Sequence, residues 1–265
     1  FLRWAGVGIA TDSRLVLLMA TTTGTKKSAA PKRAAKQVAT QTASRTKAAP
    51  KKRAASQDPK PTTVLMVRHG QTPTTGKVLP GRAKGLHLAD LGHEQANIAA
   101  LRLAELKIDA VYSSPLERAK ETAAPISAAC GLKTQIERGL FECDFGDWTG
   151  KALKDLMKLP EWQTVQRAPS TFRFPNGESF TEMQTRMVGA LDKLRKLHPG
   201  GTIVCVSHAD TIKAAVAHAM GTHIDLFQRI VISPASVTAV TWHAAGPIVL
   251  AVNSTGRPLT ELKPA

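Results

Sequence analysis

Cysteine is scarce in this chain of 265 residues: Cys130, Cys143 and Cys205 are all it has. Three scattered thiols exclude a disulfide framework, and none has the spacing of a metal ligand set. A reducing interior, and so a cytoplasmic location, is the expectation that follows. Long apolar runs are also missing. The stretch from Leu15 to Met19 is far too short to cross a bilayer, and Asp12 and Arg14 stand just before it. No membrane role is expected. Acidic residues are absent from Ala20 to Ala55, and the chain shows no internal repeat.

What the first quarter does contain is positive charge. Residues 1–63 hold thirteen Lys and Arg against two Asp, so about +11 of the formal +16 sits there. From Ala20 to Ala55 the chain is mostly Ala, Thr, Ser, Pro, Lys and Arg, which leaves almost nothing to bury. Residues 1–62 therefore read as a disordered basic leader. Lys26-Lys27, Lys32-Arg33 and Lys51-Lys52-Arg53 form a polycation similar to histone tails. Such a chain binds nucleic acid non-specifically by counterion release; a plain solubility tail explains the same composition, and a transit peptide fits it less well. The sequence opens on Phe1, and the expectation is that residues 1–18 lie upstream of a true start at Met19. A secretory signal is the poorer reading, because charges interrupt its only apolar part.

The remainder is close to neutral and carries regular apolar periodicity. Thr63 to Val67 reads as a buried strand, and Asp90 to Leu106 as a helix with a stripe through Ala96, Ala99, Ala100, Leu103 and Leu106. Ile108 to Ser113 is a second strand, and Ser114-Pro115 opens a helix to Ala129. A short strand follows near residues 133–136. Ser179 with Glu182 makes a capping box for a helix to Leu197, and Thr202 to Ser207 is the most apolar strand. A helix from Asp210 to Met220 comes next, then an antiparallel pair, Ser236–Trp242 and Ile248–Val252. This alternation predicts an α/β fold, a three-layer α/β/α sandwich with a mostly parallel sheet. The domain is expected over residues 63–253, with 254–265 as a tail.

Chemistry gathers at strand ends. Arg68-His69-Gly70 follows the first strand, and the carboxyl ends of such strands build the ligand crevices of open α/β sheets. Alone, the tripeptide reads as a surface turn. Three further features change its weight: His208 at the end of Thr202–Ser207, Arg118 in the first turn of its helix, and Glu142 in the loop from Leu140 to Trp148. Leu65-Met66-Val67-Arg68-His69-Gly70-Gln71-Thr72, Ser113-Ser114-Pro115-Leu116-Glu117-Arg118-Ala119 and Val206-Ser207-His208-Ala209-Asp210 together resemble the histidine phosphatase (phosphoglycerate mutase-like) superfamily. Gly81-Arg82 with Leu88 and Gly92, and Phe174-Pro175-Asn176-Gly177-Glu178-Ser179, support the resemblance.

The resemblance implies a phosphomonoesterase that needs neither metal nor cofactor and acts on a small phosphorylated metabolite through a phosphohistidine. It makes His69 the nucleophile, Glu142 the proton donor, and Arg68, Arg118 and His208 the phosphate ligands. Arginine suits that task because its planar fork gives paired donors. Arg82 is a further candidate for the phosphate pocket, and Glu178 for organising the helix start. Many family members carry an asparagine six residues after the nucleophile; here that position is Thr75, whose hydroxyl can still donate. Asp144 and Asp147 share the loop of Glu142 and compete for its role. The other histidines match no catalytic motif and are expected to be structural. Two alternatives stay open: a cofactor-dependent phosphoglycerate mutase, for which the stretch from Trp148 to Phe174 is short, and a nucleic-acid-tethered binding protein of the same fold.

Overall fold

The computed structural model describes residues 60–256. Residues 1–59 of the expected basic leader, with the expected start at Met19, and most of the expected tail lie outside the described residues, while Thr62, assigned to the leader, opens the first strand. Six strands form one sheet: β1 (Thr62–Arg68), β2 (Ala110–Ser113), β3 (Thr134–Ile136), β4 (Thr202–Ser207), β5 (Val237–His243) and β6 (Gly246–Ser254). Their order across the sheet is β3-β2-β4-β1-β5-β6. The first four run parallel, and β5 is antiparallel to both of its neighbours.

Helices α1 (Asp90–Ala104) and α2 (Glu117–Ala129) cover one face, while α5 (Phe180–Leu197) and α6 (Ala209–Ala219) cover the other. Period-two geometry divides β1 between them. Val64 and Met66 pack with Met187, Leu191 and Ile212, whereas Leu65 and Val67 pack with Leu103, Ala119 and Ala123. A strand covered on both faces has to be apolar along its centre, and β1 at Val64–Val67 and β4 at Ile203–Val206 are. The expected sandwich is therefore present. The capping box is present too: the Ser179 hydroxyl accepts from the Glu182 N–H while the Glu182 carboxylate accepts from the Ser179 N–H.

Two short helices, α3 (Leu153–Leu156) and α4 (Glu161–Arg167), occupy the connection from Trp148 to Phe174. The sequence reading assigned no element there, since one or two turns carry too little periodicity to show. A third cluster of buried side chains holds this segment down: Phe145, Trp148, Leu156, Val165, Phe174, Phe180 and Phe227.

Register does the work of assembling a site. Arg68 pairs with Ser207 across β1 and β4, so the next residues, His69 and His208, leave the sheet side by side. The His69 N–H donates to the Ser207 carbonyl at 2.9 Å, and the Ser114 N–H donates to Val206 at 2.9 Å. That second bond brings the start of α2 to the same edge. The turn after β1 is pressed against α1: a Cβ on Gly92 would lie 2.0 Å from the Gln71 carbonyl oxygen, and one on Gly70 would lie 2.4 Å from that of Gly92. Both neighbours are backbone and cannot swing aside. Gly92→Ala is expected to cost about 2 kcal/mol or more, the upper part of the overpacking range; a urea titration showing an unchanged midpoint would refute this contact.

Candidate active site

His69 sits directly beyond β1 and is 5 % exposed. Its Nδ1 lies 2.7 Å from the Gly70 carbonyl oxygen. A carbonyl only accepts, so Nδ1 carries the proton and the Nε2 lone pair is free. Burial, and then the charges of Arg118 and Arg68, push the imidazole well below its ordinary pKa. The ring is therefore neutral near pH 7. Its neighbour His208 lies 5.2 Å away between ring centroids, and Nε2 of His208 is 2.8 Å from the Ser114 hydroxyl. Burial and Arg118 lower the His208 pKa in the same way.

Two guanidinium groups flank the histidines. Arg68 donates through Nη1 to the Ile232 carbonyl at 2.7 Å, and Arg118 through Nη2 to the Gly81 carbonyl at 2.7 Å. Each anchor fixes one corner of the fork. Nε of Arg68, Nε and Nη1 of Arg118, and Nδ1 of His208 are buried with no protein partner. Arg118 is fully buried. Buried guanidinium donors of this kind, three N–H groups on two cations, cost several kcal/mol unless an anion takes them. An oxyanion with several acceptor oxygens matches that set.

Glu142 is the buried carboxylate of the site. It is buried, and its Oε1 accepts from the Cys143 N–H at 2.9 Å. Burial first, and the nearby charge of Asp210 second, raise its pKa to about 7 against the opposing pull of the Cys143 N–H, Arg118 and Arg68. A carboxyl group poised there can hold a proton at neutral pH and release it. The competing carboxylates of its loop are engaged elsewhere. Asp144 accepts from the Gly146 N–H at 3.1 Å and pairs with Arg82, and Asp147 accepts from the exposed Asn176 amide.

The remaining candidates take other positions. Thr75 lines the cavity, and its hydroxyl accepts from the Thr72 N–H at 2.9 Å and meets the Thr72 hydroxyl at 3.0 Å. It holds a turn. Arg82, expected beside the phosphate, turns its fork the other way. Its Nε donates to the Glu142 carbonyl at 2.9 Å, Nη1 reaches Asp144 at 3.4 Å, and Nη2 meets Glu178 at 2.7 Å. Those two carboxylates hold the cation against the back of the Glu142 loop. Glu178, read as an organiser of the helix start, is the centre of this network.

Sequence reasoning missed two residues. Arg186 on α5 grips Glu178 through Nε and Nη2, both at 2.9 Å, and donates to the carbonyls of Gly139 (2.7 Å), Phe141 (3.0 Å) and Glu142 (3.2 Å). It positions the loop that presents Glu142, and a helix arginine gives no sign of that in sequence. Asp210 was quoted within a motif but given no task; it raises the pKa of Glu142. Of the other histidines, His198 meets Tyr112 at 2.8 Å, His87 meets Glu121, and His223 meets Asp225 at 3.3 Å. Among the described residues, no group of three or more His, Cys, Asp and Glu side chains could hold a metal ion, and no helix is long and apolar enough to cross a membrane.

Arg68, His69 and Glu142 form the inner end of a cavity of about 380 Å³ that opens between the turn after β1, the α3–α4 segment and residues 228–232. A neutral histidine, unpaired arginine donors and a carboxyl group that titrates at about pH 7, gathered beyond the carboxyl ends of parallel strands, suit phosphoryl transfer on an α/β scaffold. Residues 64–255 match the family model described as histidine phosphatase superfamily (branch 1). The chain belongs to that superfamily, and with it to the hydrolases of phosphate monoesters. It is 30 % identical over 197 residues to phosphoserine phosphatase 1 of Hydrogenobacter thermophilus, an alignment covering 72 % of this chain and 92 % of that one. Among solved structures it resembles a phosphoserine phosphatase mutant of Entamoeba histolytica in complex with phosphoserine, with a TM-score of 0.67, 26 % identity, and 73 % and 97 % of the two chains covered. A mycobacterial glucosyl-3-phosphoglycerate phosphatase shares the fold at a TM-score of 0.68 and 24 % identity, with 74 % and 100 % covered.

Proposed function

We propose that this protein is a metal-independent phosphomonoesterase working through a phosphohistidine on His69, with Glu142 as the proton donor. The observation that carries the proposal is the bond from His69 Nδ1 to the Gly70 carbonyl. It leaves Nε2 unprotonated, immediately beside donors that lack partners. In the first step, Nε2 attacks phosphorus and the bond to the ester oxygen breaks. Glu142 gives its proton to the departing alkoxide, which leaves as the alcohol. Arg68, Arg118 and His208 hold the equatorial oxygens, where charge accumulates. In the second step, the Glu142 carboxylate takes a proton from water as water attacks phosphorus. The P–N bond then breaks, inorganic phosphate leaves, and neutral His69 and protonated Glu142 are restored.

The substrate is a small phosphorylated molecule that fits the cavity. Phosphate release from a panel of phosphomonoesters, assayed with EDTA present, tests the reading. Turnover is expected to be unchanged by the chelator. A rate of bisphosphoglycerate-primed mutase turnover above the rate of hydrolysis would overturn it in favour of the mutase.

A further inference from the structure

Beyond the phosphate end, the cavity has a chemical character of its own. Resting on the phosphomonoesterase reading, we propose that the alcohol half of the substrate is uncharged and largely apolar, about the size of a phenylalkyl group. The walls come from three separate segments: Val78 and Leu79 from the loop after β1, Leu153 and Trp162 from α3 and α4, and Ile230 and Val231 from the stretch before β5. Trp162 stacks on Trp148, with centroids 6.4 Å apart and planes 19° from parallel. One wall is therefore a fixed aromatic surface. Val231 at the mouth is 66 % exposed. The cavity lies within the size range of small-molecule sites.

Charge decides the class. Among the described residues that line the cavity, the cations are Arg68 and Lys213. Arg68 belongs to the phosphate end. Lys213 lies 3.1 Å from the Asp210 carboxylate and 3.1 Å from the Gln228 amide oxygen, so its charge is already balanced. Of the other polar side chains lining the cavity, Thr72, Thr75, Gln166 and Gln228 are neutral, and Asp210 is the anion already paired with Lys213. A substrate carboxylate entering here would lose its water and find no uncommitted cation, a net cost. An apolar group loses no hydrogen bond and gains about 25 cal/mol for each Å² it buries. Phosphoserine carries such a carboxylate, and a preference for uncharged alcohols separates this chain from the relatives named for it.

A near-isosteric pair tests the inference: butyl phosphate against 3-(phosphonooxy)propanoate, both esters of primary alcohols. Butyl phosphate is expected to have the higher kcat/KM by about tenfold or more, and 3-phenylpropyl phosphate to exceed methyl phosphate by at least about 10-fold, the least that one methylene contributes in an apolar pocket. Trp162→Ala should narrow the second ratio. Val231→Lys, at an exposed position that does not threaten folding, should raise kcat/KM for the carboxylated ester in a salt-sensitive way. Equal or better turnover of the carboxylated ester by the unaltered protein overturns the inference and leaves the phosphatase reading standing. No phosphate release from any of the four esters would remove that reading itself, and the inference with it.

Discussion

His69→Ala is expected to lower turnover by at least about 10⁴-fold, because losing a nucleophile removes the chemical step rather than weakening it. Phosphate on a histidine nitrogen is stable in alkali and lost in acid. Unaltered protein mixed with ³²P-labelled ester and quenched in alkali should therefore carry label on the peptide containing His69, and the variant should carry none. A pH series checks that the loss is not a folding defect. Burial holds the His69 pKa well below its ordinary 6.5, so the unfolded chain binds a proton that the folded one refuses. Stability then rises with pH through that range and falls as pH drops below about 6.5. The alanine variant lacks this term and should lose less stability on acidification than the parent. Label on another residue, or a variant retaining a tenth of the parental rate, would move the nucleophile elsewhere.

Much of this site could be read before any coordinates, for a physical reason. Parallel strands carry their chemistry at one end, so a histidine straight after each of two apolar runs places itself. His69 and His208 follow that logic, and Arg118 follows from its place in the first turn of a helix. Legibility fades where contacts are long-range and set by side-chain direction. Arg82 sits in a motif that suggests phosphate, yet Asp144 and Glu178 claim its fork. Arg186 looks like any helix arginine until α5 is laid against the loop at residues 139–142. The helices α3 and α4 are too short to leave a periodic trace, although they wall the cavity. Thr75 shows how a departure from the family pattern is absorbed: its hydroxyl closes a turn with Thr72.

Glu142→Gln separates catalysis from structure, since its expected effects on the two have opposite signs. Removing a positioned general acid lowers the rate by about 10²–10⁴-fold where the leaving group needs a proton. An alkyl phosphate meets that condition. p-Nitrophenolate does not, so the variant should still release a burst of it in the first turnover and then stall, because no carboxylate remains to activate water. In the parent, kcat/KM for the alkyl ester should fall above pH about 7 as Glu142 ionises, and the variant should lack that limb. Stability moves the other way. Because the folded pKa lies above the ordinary 4.5, the native state holds a proton that the unfolded chain releases between the two values. Parental stability therefore declines as pH rises through that window, by up to about 1.4 kcal/mol per unit. Glutamine has no proton to lose, so the variant should be the more stable protein at pH 8 and no more stable than the parent at pH 4. Equal losses on both classes of ester, with lower stability at pH 8, would mark Glu142 as a structural residue and pass the role of proton donor to Asp210, the other carboxylate among the described residues that line the cavity.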